Sequence, residues 1–394
     1  MSRTSAGPAR NPTLSLLFSP ASFRGLTFKN RLVVAPMCQY SAKGGVANDY
    51  HFAHLARFAL GGFGAVIVEA TAVTPEGRIS YADLGLWTDE QIAPLARIVD
   101  FLRTQGTASG VQLAHAGRKA STPVWWRGRF DETEEEKPLV GFEDWPVVGP
   151  SPIPQVAGST EFKVPRALTV EEMDDIREAF VAAAQRAQQA GFDFVEVHSA
   201  HGYLLHQFLS PVANSREDEF GGSRENRMRF PLSVVRAVRE VWPAEKPLFV
   251  RISAQDGIEG GWTVADSVAY GAALKDLGAD LIDVSSGGFA GARIPVGPGY
   301  QVPLSRAVRG DAGVPTMAVG LITQAQDAEA IIADGDADLV ALGRMALDDP
   351  NWPVHARLEL DSTEDAYAVW PKQSGFVVRN KDQALRERVY TEAE

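Results

Sequence analysis

The chain is poor in the groups that several chemistries and cell locations demand. Its 394 residues include one cysteine, Cys38, which excludes an internal disulfide framework and any iron–sulfur cluster held by several thiolates of the chain. No apolar run is long enough to span a bilayer, and the opening stretch MSRTSAGPARNPTLSLLF lacks the sustained apolar centre of a signal peptide. The expected location is therefore cytoplasmic, with no membrane partner. Basic residues are outnumbered 38 to 50 by acidic ones, a net charge of −12, which argues against nucleic acid or an anionic lipid surface as a partner. Small anions are then bound only through local groups. A separate dinucleotide fingerprint is missing as well.

What remains is an ordinary globular composition, 45% apolar and 22% charged, with a repeating plan. Short runs rich in β-branched residues occur at 31–37, 65–73, 108–115, 192–200, 247–254, 280–287, 315–320 and 338–344. Between them lie amphipathic stretches. The clearest starts at a capping box, Thr169 with Glu172, sets Met173, Ile176, Phe180 and Ala187 on one face, and ends at Gly191. Weaker patterns cover 49–60, 89–104, 225–241, 264–277 and 324–334. Strand and helix alternating eight times predict an α/β fold, a closed (β/α)8 TIM barrel rather than a doubly wound sheet, with 1–394 as one domain.

Two regions fall outside the bare repeat. Residues 14–30 have the pattern of a hairpin that could plug the barrel floor, and 116–168 form a long excursion after strand three. The excursion carries Trp125, Trp126, Phe130, Phe142 and Trp145 beside the acidic run DETEEE. A loop of that length in a compact domain reads as a lid or binding loop, and the acidic run as a solvated face. Residues 345–394 form a C-terminal segment.

Barrel enzymes place their reacting groups at the C-terminal ends of the strands. The polar residues there are Cys38, Gln39 and Tyr40 on strand one, Gln112 and His115 on strand three, His198 and His201 on strand four, and Arg251 on strand five. Ser285, Ser286, Gly287 and Gly288 follow strand six, Gly320 strand seven, and Gly343 with Arg344 strand eight. Glycine turns after strands seven and eight, with an arginine, suit a phosphate-bearing ligand, the alternative being that they only turn the chain.

With only seven histidines in the chain, a pair three residues apart at a strand end calls for a reason. Period-two alternation turns Glu196 and His198 to one side of the strand, so His198 faces the barrel mouth and His201 stands just beyond it. Three readings fit the spacing. The pair could be metal ligands with His206 or Glu196 added, although no standard zinc pattern is present. They could be core histidines satisfied by backbone groups. Or they could be two donors to a carbonyl oxygen, holding the negative charge that develops on it. Tyr203 immediately behind them reads either as a proton donor or as an aromatic that caps the next turn. Cys38 reads either as a small buried hydrophobe or as a functional thiol.

Assembled in order, the segments LTFKNRLVVAPMCQYSA, VQLAHAGRKA, EVHSAHGYLLHQFLSPVANSREDEFGGSRENRMRF, VRIS and ALGRMALDDPNWP closely resemble the Old Yellow Enzyme family of FMN-dependent ene-reductases. The match runs from about residue 15 to about residue 350 and is nearest to the branch of thermophilic-like members and xenobiotic reductases. The resemblance implies an NAD(P)H-dependent reductase of the C=C bond of enones and enals, with FMN as cofactor, NADPH or NADH as reductant and no metal. Ala35, Pro36, Met37, Cys38 and Ala70 would line the flavin, Gln112 would bond its pyrimidine edge, and Arg251 would stand near N1 and O2. Gly288, Gly320, Gly343 and Arg344 would hold its phosphate. The substrate oxygen would lie between His198 and His201, with Cys38 and Tyr40 facing the substrate, and the hydride would pass from flavin N5 to the β-carbon while Tyr203 or water protonates the α-carbon.

The branch further implies a homodimer or homotetramer. Its C-terminal arginine finger into a neighbour's site has no clear counterpart here, where Phe376 stands at about that place and Arg379 a little later; Trp370 is the alternative wall of a substrate pocket. Two other activities compete: nitroester or nitroaromatic reduction on the same flavin barrel, and, from a different class, a metal-dependent barrel hydrolase using the two histidines and a carboxylate.

Overall fold

Each of the eight strands expected from the sequence is present, trimmed at its ends. The computed structural model describes residues 15–124, 126, 145–156, 158, 162–361 and 364–391; Trp125, Phe130, Phe142 and the acidic run lie outside the described residues. In chain order the strands are β1 (Ala21–Phe23), β2 (Leu26–Phe28), β3 (Leu32–Val34), β4 (Ala65–Ala72), β5 (Ala108–Ala114), β6 (Val148–Gly149), β7 (Arg166–Ala167), β8 (Phe194–Ser199), β9 (Leu248–Ser253), β10 (Leu281–Ser285), β11 (Thr316–Ala318) and β12 (Leu339–Leu342). The strands β3, β4, β5, β8, β9, β10, β11 and β12 pair in that order, all parallel, and β12 closes on β3. This is a (β/α)8 TIM barrel.

The helices α1 (Asp49–Leu60), α2 (Ile92–Thr104), α3 (Val170–Gln189), α4 (Leu204–Leu209), α5 (Arg224–Val241), α6 (Val264–Asp276), α7 (Val302–Ala312) and α8 (Ala325–Ala333) lie outside the strands. They bury the apolar stripes that the sequence displays. In α3 the Thr169 side chain accepts from Glu172 N and the Glu172 carboxylate accepts in turn from Thr169 N, while Met173, Ile176, Phe180 and Ala187 are buried. Gly191 just past its end takes φ +87, a conformation that glycine adopts without strain. Two short C-terminal helices follow, α9 (Arg344–Asp348) and α10 (Trp352–Leu360), and then α11 (Lys372–Thr391). Among the described residues no helix is long and apolar enough to cross a membrane.

The hairpin of β1 and β2 does close the floor. Phe23 and Phe28 meet Phe249 and Phe194, the lowest inward residues of β9 and β8, at ring-centroid distances of 5.5 and 5.6 Å. These rings fill the barrel's lower interior together with Val33, Ile67, Met317 and Leu339, so polar interior residues are confined to the upper end. There the register aligns Gln112 with Glu196, and His198 with Arg251 and Asp283, across neighbouring strands. Within the excursion, β6 and β7 form a small parallel pair that the sequence pattern does not reveal.

Candidate active site

The two histidines meet at the mouth. His198 is the fifth residue of β8 and points inward. His201, two residues past the strand end, has φ +57, an uncommon conformation for a residue with a side chain. Three contacts hold it there: its N–H donates to Ser253 Oγ (2.9 Å), Lys119 Nζ donates to its carbonyl oxygen (2.8 Å), and its Nε2 lies 2.7 Å from Ser285 Oγ. The two imidazoles then stand 5.2 Å apart, nearly perpendicular, and Tyr203 packs edge-on to His198 at 4.9 Å.

Tyr203 occupies the N-cap position of α4, yet its side chain makes no capping bond. Its ring packs instead with Cys38 and Tyr40 against the apolar patch of Ala70, Ala114 and Ala116. Lys119 Nζ lies 4.9 Å over that ring and also donates to the carbonyl of Gly288 (3.0 Å). Trp126, from the excursion, meets Tyr40 edge-on at 5.5 Å and so roofs this side of the mouth.

Burial controls the charge of these groups. It drives both His198 and His201 well below the usual imidazole range, and Arg251 lowers each of them further. Both rings are therefore neutral near pH 7, each with one N–H to donate, and the Nδ1 of His198 is buried with no partner. The Tyr203 phenol is pushed up, again by burial first, so it keeps its proton. The Cys38 thiol is also pushed up, by burial and then by the nearby carboxyls of Asp83 and Glu69. These two acids are themselves raised by burial, Asp83 to about 7.

Beside the histidines opens a cavity of about 420 Å³, lined among others by Arg251, Ser285, Gly320, Gly343 and Arg344. Ser285 thus joins the cavity to His201. At Gly320 the backbone takes φ +130, and a Cβ there would sit 3.1 Å from both Gln301 Nε2 and the Tyr300 ring; only glycine keeps that turn close to its neighbours.

A family model described as the NADH:flavin oxidoreductase / NADH oxidase family matches residues 16–362. An NADPH dehydrogenase of Geobacillus thermodenitrificans is 47% identical over 348 residues, covering 88% of this chain and 95% of its own length. The chain belongs to the Old Yellow Enzyme family. Among solved structures, morphinone reductase is similar with a TM-score of 0.73 at 28% identity, over 88% of this chain and 91% of its own. Morphinone reductase in complex with tetrahydroNAD matches with a TM-score of 0.71 at 27% identity, over 89% and 93% of the two chains. Membership makes this protein an FMN-dependent NAD(P)H oxidoreductase.

The residues present fit the Old Yellow Enzyme cofactor. A flat ring with a phosphate at one end needs an apolar slot, a cationic end and polar groups along one edge. Ala35 and Ala70 are buried and small, Arg251, Arg344 and the turns at Gly320 and Gly343 line the open cavity, and Gln112 is buried on β5 in register with Glu196 of the histidine strand. Gly288, expected with the phosphate group, lies elsewhere. Its φ is +116 and a Cβ would fall 2.1 Å from the His201 carbonyl carbon, so it makes room for the His201 turn and does not line the cavity.

Three C-terminal residues are also apart from the mouth. The helix α10 begins with Trp352 bonded to Thr323 O and descends until Arg357 lies over Phe18 at the floor. Trp370 therefore lines a separate cavity of about 700 Å³ with Phe18, Lys29, Gly62 and Gln105, not the substrate side of its own barrel. Phe376, which is 63% exposed, and Arg379 lie on α11 beyond it. The third ligand of a metal reading is not brought to the pair either. His206 Nδ1 accepts from Gly202 N and its Nε2 faces Asp256 Oδ1 at 2.9 Å, while Glu196 Oε1 accepts from Gln112 Nε2. Among the described residues no cluster of three or more His, Cys, Asp or Glu could hold a metal ion.

The sequence reading missed Lys119, Ser253, Glu69 and Asp83. Lys119 alone carried a signal, a lysine in a short GRK turn directly after a barrel strand.

Proposed function

We propose that this enzyme reduces the C=C bond of α,β-unsaturated ketones and aldehydes. The observation that carries the reading is a pair of imidazoles 5.2 Å apart, His198 buried and His201 partly so, with the Tyr203 ring 4.9 Å from His198, desolvation favouring the neutral form of all three. Arg251, Gln112, Gly320, Gly343 and Arg344 would hold FMN, which would supply the two-electron relay between nicotinamide and substrate.

Around it the chain's own groups divide the work. His198 and His201 each offer one N–H to a carbonyl oxygen, and with a flat substrate covering the mouth these preorganised donors stabilise charge on that oxygen far more than water would. That withdrawal makes the β-carbon electrophilic. Tyr203, adjacent to His198 and protonated, gives its proton at the α-carbon. Lys119 ties the His201 turn to Gly288 and so fixes the distance between donor pair and phenol. Tyr40 and Trp126 close the mouth on the Tyr203 side, which favours flat, compact substrates. Cys38, kept as a thiol by burial and its acidic neighbours, serves as an apolar contact and not as a nucleophile.

Product analysis tests this directly. The FMN-loaded enzyme with NADPH should convert 2-cyclohexenone to cyclohexanone and leave cyclohexene, which has no oxygen for the pair to bind, untouched. Oxidation of NADPH with both alkenes recovered intact would overturn the proposal.

A further inference from the structure

Directly behind Arg251 the barrel buries more acid than base. Glu196 and Asp283 are both 0% exposed, and the guanidinium of Arg251, 7% exposed, is the cation set against them. Arg251 Nε lies 3.0 Å from Asp283 Oδ2 without the alignment of a hydrogen bond, and both Asp283 oxygens and Glu196 Oε2 have no donor. Among the described residues the one hydrogen bond to these carboxyls is Gln112 Nε2 to Glu196 Oε1, at 2.8 Å. Val33 on β3, Ala35 just past its end, Ile67 on β4, Met317 on β11 and Ala341 on β12 are apolar; the buried Glu69 of β4 accepts from Gln39 N beside Cys38. His198, two residues beyond Glu196 on β8 and in register with Arg251, is neutral.

Two ionised carboxylates against one guanidinium would leave a net buried negative charge, which is costly; one shared proton removes it. We propose that Glu196 and Asp283 hold one proton between them and act as positioning residues that set the charge behind Arg251, making the pair the proton acceptor coupled to the redox state of the bound flavin. This inference rests on the assignment of FMN to the barrel mouth.

The balance is simple. The nicotinamide hydride brings two electrons and one proton and leaves one added negative charge on the flavin. When the carboxyl pair is fully ionised, that charge draws one further proton from solvent onto it, and the proton returns to solvent when the electrons leave. Burial and Asp283 raise the Glu196 carboxyl to about 8, with Arg251 and Gln112 opposing them, and burial raises Asp283 as well. The coupling therefore belongs to the alkaline side of neutrality.

The test compares FMN midpoint potentials of the holoenzyme and of Glu196→Gln, measured against a reference dye at pH 7 and pH 9. The variant keeps one carboxylate against one cation at both pH values. Its potential should match the wild type at pH 7 and lie above it at pH 9. An offset that is equal at the two pH values, zero included, overturns the inference. Asp283→Asn gives an independent check with the same expectation. Infrared difference spectra of the unmutated holoenzyme upon reduction at pH 9 should gain a protonated-carboxyl band, and its absence would contradict the idea. A chain that binds no FMN would overturn the underlying site assignment instead.

Discussion

His201 Nε2 stands 2.7 Å from Ser285 Oγ, so the nitrogen of this ring left for a ligand is Nδ1. Ser285 Oγ is also 3.3 Å from Gln301 Oε1, which accepts from Ser286 Oγ and belongs to an amide anchored on Val319 O. For Nδ1 to carry the proton toward a carbonyl, Ser285 must donate to Nε2. Ser285→Ala should then weaken binding of a phenolic or enone ligand by roughly tenfold, the worth of one hydrogen bond to a partly desolvated group. Isothermal titration with a para-substituted phenol reads this, and unchanged affinity would remove Ser285 from the account.

Removing the donors themselves should cost more. His198→Ala or His201→Ala should each lower enone turnover on the order of 10²–10³-fold, as loss of one oxyanion donor does elsewhere. Phenol binding should fall with both single variants and further with the double variant. Enone turnover that survives the double change would sink the donor role.

Tyr203→Phe keeps the ring that packs on His198 and takes away the proton. Rapid-mixing kinetics should find the oxidative half-reaction with an enone slowed on the order of 10²–10⁴-fold, the usual worth of a positioned acid, while flavin reduction by NADPH changes little. Equal slowing of both half-reactions would contradict the assignment.

Asp83 gives a stability prediction. Its Oδ2 accepts from Ile79 N at 2.6 Å, its Oδ1 is buried without a partner, and burial raises the carboxyl from 3.8 to about 7. Between those values the folded state holds the proton and the unfolded chain releases it, so stability is lost as pH rises through that window. Asp83→Asn does not titrate. Its Tm relative to the wild type should therefore climb from pH 4 to pH 7 and level off above, by differential scanning calorimetry. A Tm difference that does not change with pH would place the carboxyl in a less desolvated setting.

The barrel was legible because its signals are local. Each strand is a short apolar run, and the Thr169 capping box and Gly191 mark the ends of α3 without help from the rest of the fold. The pair His198 and His201 was legible for the same reason, as was the face that β8 turns inward. Less visible were elements whose patterning is erased by burial on every side: all six residues of α4 are buried, so no apolar stripe marks it as a helix. Long-range partnerships were hidden altogether. Nothing near Lys119 in the chain points to the carbonyls of His201 and Gly288, and the placing of Glu196 and Asp283 on the two strands that flank Arg251 depends on the register of three strands. The place of Trp370 was hidden because sequence position after β12 says nothing of the direction of α10, which carries the chain down to the floor and away from the mouth of its own barrel.

The most direct measurement is the visible spectrum of the purified, FMN-loaded protein under anaerobic conditions, first alone, then with one equivalent of NADPH, then with one equivalent of 2-cyclohexenone. The account predicts a yellow protein that bleaches with NADPH and regains its colour stoichiometrically with the enone. A flavin that bleaches and stays bleached until oxygen is admitted would contradict it.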